Sequence, residues 1–161
     1  MANTPIKAAV VTVSDSRSPA DDLSGDALAE ILSSAGAEVV ERKIVSDDLI
    51  DIRETLHILS RSSEFNLIIT TGGTGFGPRD NTPEATRAVI EREAPGIAEA
   101  IRRETAAKTP MAMLSRGVCG IRGNTLIINF PGSPKGVREC FEVIRPILSH
   151  AIDLINGETR H

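Results

Sequence analysis

Gly72-Gly73-Thr74-Gly75-Phe76-Gly77 places four glycines in six residues, after an apolar run and before a Thr-Pro pair. Glycines let backbone N–H groups turn inward around an anion, and a phosphate fits such a cradle. The loop lacks the Lys of G-x-x-x-x-G-K-[ST], and its G-x-G-x-G alternation differs from the G-x-G-x-x-G of dinucleotide sites. A tight turn in a wound sheet is the plainer use of the same residues. Arg79-Asp80-Asn81 follows directly. A bare carboxylate repels phosphate, so Asp80 either meets a metal, a hydroxyl or a heterocyclic N–H, or complements a helix N-terminus.

Ser46-Asp47-Asp48 ends another apolar run. It serves equally as a helix cap or as a second carboxylate on the rim of the phosphate loop. Two carboxylates from different strands suit magnesium, which is held by one or two carboxylates plus substrate phosphate oxygens. Pro131-Gly132-Ser133-Pro134-Lys135 offers a hydroxyl, a helix start and an ammonium, a second anion site. Ser115-Arg116-Gly117 and Gly120-Ile121-Arg122-Gly123 add two guanidiniums, as anion ligands or as solvated surface. Two anion cradles with acids nearby point to one substrate with several phosphates or to two phosphorylated substrates, and so to group transfer.

These residues need a scaffold, and 161 residues with 18 basic and 22 acidic side chains, net −4, make one domain (1–161) with no global attraction to nucleic acid. The two halves differ: residues 1–80 carry 7 basic and 13 acidic groups, residues 81–161 carry 11 and 9. Anion-binding charge is expected from the second half. Cys119 and Cys140 lack C-x-x-C spacing, and His57, His150 and His161 form no ligand cluster, so no zinc site is expected. Free thiols, no leader-like N-terminus and no long apolar run predict a cytoplasmic protein without a membrane span. Four Phe and no Trp or Tyr leave few aromatic platforms for stacking on single strands.

Ile6–Ser14 reads as a buried strand, followed by a polar loop. From Ser24 the positions Ala27, Leu28, Ile31, Leu32 and Ala35 repeat at helical spacing and Gly36 ends the helix. Ala37–Val45 predicts a strand, and Leu49, Ile52, Leu56 and Leu59 share a helix face. Phe65–Thr71 is apolar on both faces and runs into the glycines. Thr82-Pro83 opens a helix that Pro95-Gly96 breaks, with another from Ile97 to about Ala107. Met113–Arg122 is ambiguous, Thr125–Phe130 is a further strand, and a last helical stretch from Val137 to Ile155 should break or kink at Pro146. Alternating strands and helices make a single three-layer α/β domain with a mainly parallel central sheet. Ligands bind beyond the carboxyl ends of such strands. The loops there are Ser14–Gly25, Ser46–Asp48, Gly72–Asn81 and Pro131–Gly136.

Three segments, Thr12–Gly25, Thr70–Thr86 and Met113–Gly136, together resemble the MoaB/Mog family of molybdenum cofactor biosynthesis, and the resemblance spans essentially the whole chain. It implies a trimeric, magnesium-dependent molybdopterin adenylyltransferase with ATP as co-substrate. It implies that Asp47 is a catalytic carboxylate linked to magnesium, and that Asp80 serves pterin binding and turnover. Gly72, Gly73, Thr74 and Gly75 match the nucleotide-contacting loop, and a side chain at Gly73 is expected to block approach to the phosphates. Ser14, Asp15, Ser115, Pro131, Gly132, Ser133 and Lys135 match further binding positions. A partner protein that inserts molybdate would take the product. The loop Ser18-Pro19-Ala20-Asp21-Asp22 resembles a branch with members lacking demonstrated transfer, whereas Asp47 and Pro78-Arg79-Asp80 resemble the active branch. The alternative is a non-catalytic molybdopterin-binding or scaffolding member, which pyrophosphate release would distinguish. A dinucleotide oxidoreductase would need the G-x-G-x-x-G that is absent.

Overall fold

The computed structural model describes residues 3–158, so His161 lies outside the described residues. The elements run β1 (Lys7–Val13), α1 (Leu23–Ser34), β2 (Glu38–Val45), α2 (Leu49–Arg61), β3 (Leu67–Thr71) and α3 (Thr82–Val89). They continue with β4 (Arg92–Glu93), α4 (Pro95–Ala106), a 3-10 turn (Pro110–Leu114), β5 (Cys119–Arg122), β6 (Thr125–Phe130) and α5 (Pro134–Ile155).

The sheet has six strands in the order β2-β1-β3-β6-β5-β4. β2, β1, β3 and β6 are parallel neighbours, while β5 runs antiparallel to β6 and β4 antiparallel to β5. Successive side chains of a strand point to opposite faces, so each central strand feeds two cores. Ala8, Val10, Leu67, Ile69, Leu126 and Ile128 pack under Leu28 and Leu32 of α1, Ile101 of α4 and Phe141, Ile144 and Leu148 of α5. Ala9, Val11, Ile68 and Ile127 face Ile52, Leu56 and Leu59 of α2 and Ala85 and Val89 of α3. Helices on both faces are the reason β3 and β6 are buried throughout and read as unbroken apolar runs. The chain goes from β1 to β2 on one side and returns to β3 on the other. The loops after β1 and β3 therefore part at a switch point, where a crevice opens at the carboxyl edge.

Three expectations change. The helix opened by Thr82-Pro83 ends at Val89, before Pro95, because the next residues join the sheet edge: Glu91 N–H donates to Ile121 O at 2.9 Å and Ala94 N–H to Cys119 O at 2.9 Å. The ambiguous stretch divides into the 3-10 turn and β5. Pro146 lies inside one continuous helix of 22 residues and does not break it. It occupies the solvent side of α5 beside exposed Arg145 and Ile147, where water can satisfy the carbonyl that a proline leaves without a donor. Cys119 and Cys140 are free and buried, and burial pushes both thiols up to about 12, which leaves them unreactive.

Candidate functional site

β1 and β2 end in register, Val13 beside Val45, and Ser14 N–H continues the ladder to Val45 O at 2.9 Å. That pairing brings the two following loops together. Asp15 N–H donates to Asp47 Oδ2 and Asp47 N–H donates to Asp15 Oδ1, both at 2.9 Å. Arg79 spans both Asp15 oxygens, from Nε at 2.9 Å and Nη2 at 3.0 Å. Asn81 Nδ2 donates to Asp47 O at 2.9 Å, tying the start of α3 to the end of β2. The cap of α2 is Asp48, whose Oδ1 accepts from Ile50 N–H at 2.9 Å. Asp47 is thereby excused from capping.

The electrostatics of these acids diverge. The Arg79 fork, with the Asp47 N–H, holds the Asp15 carboxyl below the usual carboxylate range. Burial raises the Asp47 carboxyl, with repulsion from Asp15 and Asp80 adding to it against the Asp15 N–H and Arg79. Asp47 Oδ1 has no hydrogen-bond partner among the described residues. This free oxygen is a carboxylate atom that a cation could draw on, though no three metal-ligating side chains come together among the described residues.

The glycine loop leaves β3 beside β6. Gly72 N–H donates to Phe130 O at 3.1 Å and Thr71 Oγ1 to Pro131 O at 2.7 Å, so this loop and the Pro131–Lys135 turn share one register. Gly72 and Gly73 have φ of 104° and 68°, where only glycine is at ease. The backbone of Gly72 crowds β1, since a Cβ there would lie 2.5 Å from Val13 O. A Cβ at Gly73 would overlap Thr82 Oγ1, which donates to Gly72 O at 2.9 Å. The Asp80 carboxylate folds back over the loop. Its Oδ2 accepts from Gly77 N–H at 2.8 Å and would lie 2.9 Å from a Cβ at Gly75 or Gly77. Asp80 is thus a loop-internal acid and no first-turn residue of α3; Glu84 has that place. The N–H groups of Gly73, Thr74, Gly75 and Phe76 find no hydrogen-bond partner among the described residues, the pattern of an anion cradle.

On the other flank of the loop lies a cavity of about 450 Å³ between α4, α5 and the 3-10 turn. Thr74, Gly75, Ser115, Pro131, Ser133 and Lys135 line it, and Ile101, Met111, Ala112, Leu114 and Cys140 make one wall apolar. The glycine loop and the α5 N-terminus therefore rim one cavity. Gly132 packs on Gly72, with a Cβ there 3.2 Å from Gly72 Cα. Ser14, Asp15, Asp47 and Asp80 do not line the cavity. They lie across the glycine loop from it, so the sequence-derived residues divide into an acidic flank and a cavity flank.

Several readings shift. Ser133 Oγ accepts from Gly136 N–H at 3.0 Å and caps α5, so one lone pair is committed and the proton stays available to a ligand. Arg116 and Arg122 are not simply solvated surface: both are part-buried and held by backbone carbonyls. Arg116 ties the glycine loop to α3, and Arg122 Nη1 donates to Val89 O at 3.1 Å. Gly73 is required first by Thr82 and only then by any ligand. Sequence reasoning missed Thr82, Glu84 and Arg102; Arg102 Nη1 donates to Gly117 O at 2.8 Å on the cavity wall. Thr82 and Glu84 lie in the first turn of α3, where local pattern signals only a helix start.

Fold and rim together define an open α/β protein whose glycine loop and α5 N-terminus meet at the carboxyl edge of its sheet, where such folds take their ligands. Residues 9–150 match the family described as the probable molybdopterin binding domain, and the chain belongs to that family. It is 41% identical over 152 residues to the molybdopterin adenylyltransferase of Helicobacter pylori strain J99, covering 92% of this chain and 86% of that one. It is 45% identical to the Drosophila melanogaster molybdenum cofactor synthesis protein cinnamon over 92% of this chain, but spans only 25% of the fly protein. The solved molybdopterin biosynthesis enzyme MoaB of Thermus thermophilus superposes with a TM-score of 0.87 at 44% identity, covering 94% of this chain and 97% of that one. No described helix is long and apolar enough to cross a membrane.

Proposed function

We propose that the chain transfers the adenylyl group of ATP to the terminal phosphate of molybdopterin. The observation that carries this reading is the pair of anion-binding elements, the glycine loop and the α5 N-terminus with Lys135, on the rim of one half-apolar cavity. In the reaction a phosphate oxygen of molybdopterin attacks the α-phosphorus of ATP in line, the bond to the β-phosphate bridging oxygen breaks, and pyrophosphate leaves. A phosphate monoester is largely ionised near pH 7, so no general base is needed. The protein's task is positioning and charge neutralisation. The N–H groups of the glycine loop receive the nucleotide phosphates, Lys135 and the α5 N-terminus take the pterin phosphate, and the apolar wall takes its heterocycle.

Magnesium fits the donor set. No group of three metal-ligating side chains exists among the described residues, so the ion would draw on Asp47 Oδ1, water and the nucleotide phosphates. When bound it would supply charge neutralisation at the departing pyrophosphate. The test is pyrophosphate release from ATP and molybdopterin. Molybdopterin binding without pyrophosphate would replace the transferase with a non-catalytic binder.

Lys135 is exposed, and no described acid pairs with it. Lys135→Ala is expected to weaken molybdopterin about tenfold, as loss of a charge-assisted hydrogen bond does. Calorimetry checks it, and unchanged affinity returns Lys135 to the solvated surface. We also propose a C₃ homotrimer, with three equivalent sites. Light scattering is expected to give three times the chain mass, and a monomer throughout the micromolar range would remove the trimer. Cytoplasmic location and transfer of the product to a molybdate-inserting protein complete the reading.

A further inference from the structure

Arg116 holds the glycine loop more extensively than any rim residue that sequence reasoning proposed as a ligand. Its backbone N–H donates to Thr74 O at 2.8 Å, its Nε to Gly75 O at 2.8 Å and its Nη2 to Asp80 O at 2.7 Å. Its Nη1 pairs with Glu84 in the first turn of α3. One residue from the segment before β5 thus holds three carbonyls of the loop after β3 and is itself anchored by the helix that follows.

In a trans peptide the N–H points opposite to the C=O of the same unit. Drawing the Thr74 and Gly75 carbonyls toward Arg116 turns the N–H groups of Gly75 and Phe76 away from it. Those are two of the four N–H groups without a partner among the described residues. From this geometry we propose that Arg116 is a positioning residue for the nucleotide: it gathers the carbonyl side of the glycine loop so that the N–H side is presented to the phosphates. The inference rests on the adenylyl-transfer reading for its ligand and on hydrogen bonds of this structure for its mechanism. Nε, Nη1 and Nη2 each already serve a loop carbonyl or Glu84, so the first duty of the guanidinium is to the loop. The mutual pull of the pair, which lowers the Glu84 carboxyl and raises the guanidinium, keeps the anchor charged.

Lysine tests the idea. It keeps the charge but cannot reach three acceptors from a planar fork. Arg116→Lys and Arg116→Ala are both expected to raise KM for ATP about tenfold or more, while kcat and KM for molybdopterin change by less than about threefold. Ethylguanidinium at low millimolar concentration is expected to restore ATP binding in Arg116→Ala. A purely structural role would change all the kinetic constants together and lower the melting temperature in proportion. Should Arg116→Ala fail to fold, Arg116→Lys and Glu84→Gln decide, the latter with a smaller rise in KM for ATP. If KM for ATP stays within about twofold in Arg116→Lys, the positioning role falls. Calorimetry with inorganic pyrophosphate separates this from the reaction itself. A wild type that binds pyrophosphate without forming it, with Arg116→Lys losing about tenfold in that affinity, would end the transferase reading and leave the role of Arg116 standing.

Discussion

Asp47→Asn is expected to keep the fold and lose two or more orders of magnitude in adenylyl transfer, roughly 3 kcal/mol of transition-state stabilisation. Asparagine is the informative replacement. The carboxylate's structural duty is one accepted hydrogen bond from Asp15 N–H at 2.9 Å, which an amide oxygen can accept, and the cap of α2 belongs to Asp48. What asparagine removes is charge beside the free Oδ1. Stability should move the other way. Burial and the neighbouring carboxylates raise the proton affinity of Asp47 in the folded chain above that in the unfolded one. Its contribution is therefore favourable in acid and is lost as pH rises through the raised value, so at pH 7 without magnesium the wild type carries a penalty that Asp47→Asn lacks. The variant's melting temperature should equal or exceed the wild type's there. Turnover near normal at saturating magnesium would remove Asp47 from the reaction. Asp48→Ala makes the contrast: losing the cap should cost about 1 kcal/mol of stability and little turnover.

Period and boundary signals made most of the fold legible. Apolar runs buried on both faces announced β1, β3 and β6, and Ser, Asp and Thr-Pro starts announced α2 and α3. What escaped was set by tertiary partners. β4 is two residues long and exists because Ile121 and Cys119 supply carbonyls to it, and no local pattern encodes that. Pro146 is tolerated because its helix happens to turn that residue to water. The site was legible as a set of loops, since the carboxyl edge of a parallel sheet selects them. Its wiring was not. That Asp15 and Asp47 exchange hydrogen bonds follows from the register of β1 with β2, and that Arg116 braces a loop some forty residues earlier follows from β5 folding back on β6. Residue type said only that these groups were charged.

Gly73→Val is expected to damage the whole rim and not the nucleotide site alone. The reason is internal. Gly73 sits at φ 68°, a region that costs a β-branched residue several times what it costs glycine, and its missing Cβ leaves the room that Thr82 Oγ1 occupies while donating to Gly72 O. Conformational strain and the displaced hydrogen bond together come to about 3 kcal/mol, which for a chain of this size lowers the melting temperature by roughly 6–12 °C. Because Gly72 packs on both Val13 and Gly132, displacement passes to the loop after β1 and to the α5 N-terminus. Binding of ATP and of molybdopterin should then fall together. Gly73→Ala in a Thr82→Ala background separates the causes: there the hydroxyl and its hydrogen bond are already gone, so Gly73→Ala should cost about half of what it costs in the wild-type background, the remainder being the left-handed φ. A Gly73→Val protein that melts like the wild type and loses only nucleotide affinity would mean that the glycine is there for the ligand's approach. Threonine and glycine would then be independent choices, whereas the overlap places them as one: the hydroxyl that closes the turn can reach Gly72 O only across a residue with no side chain.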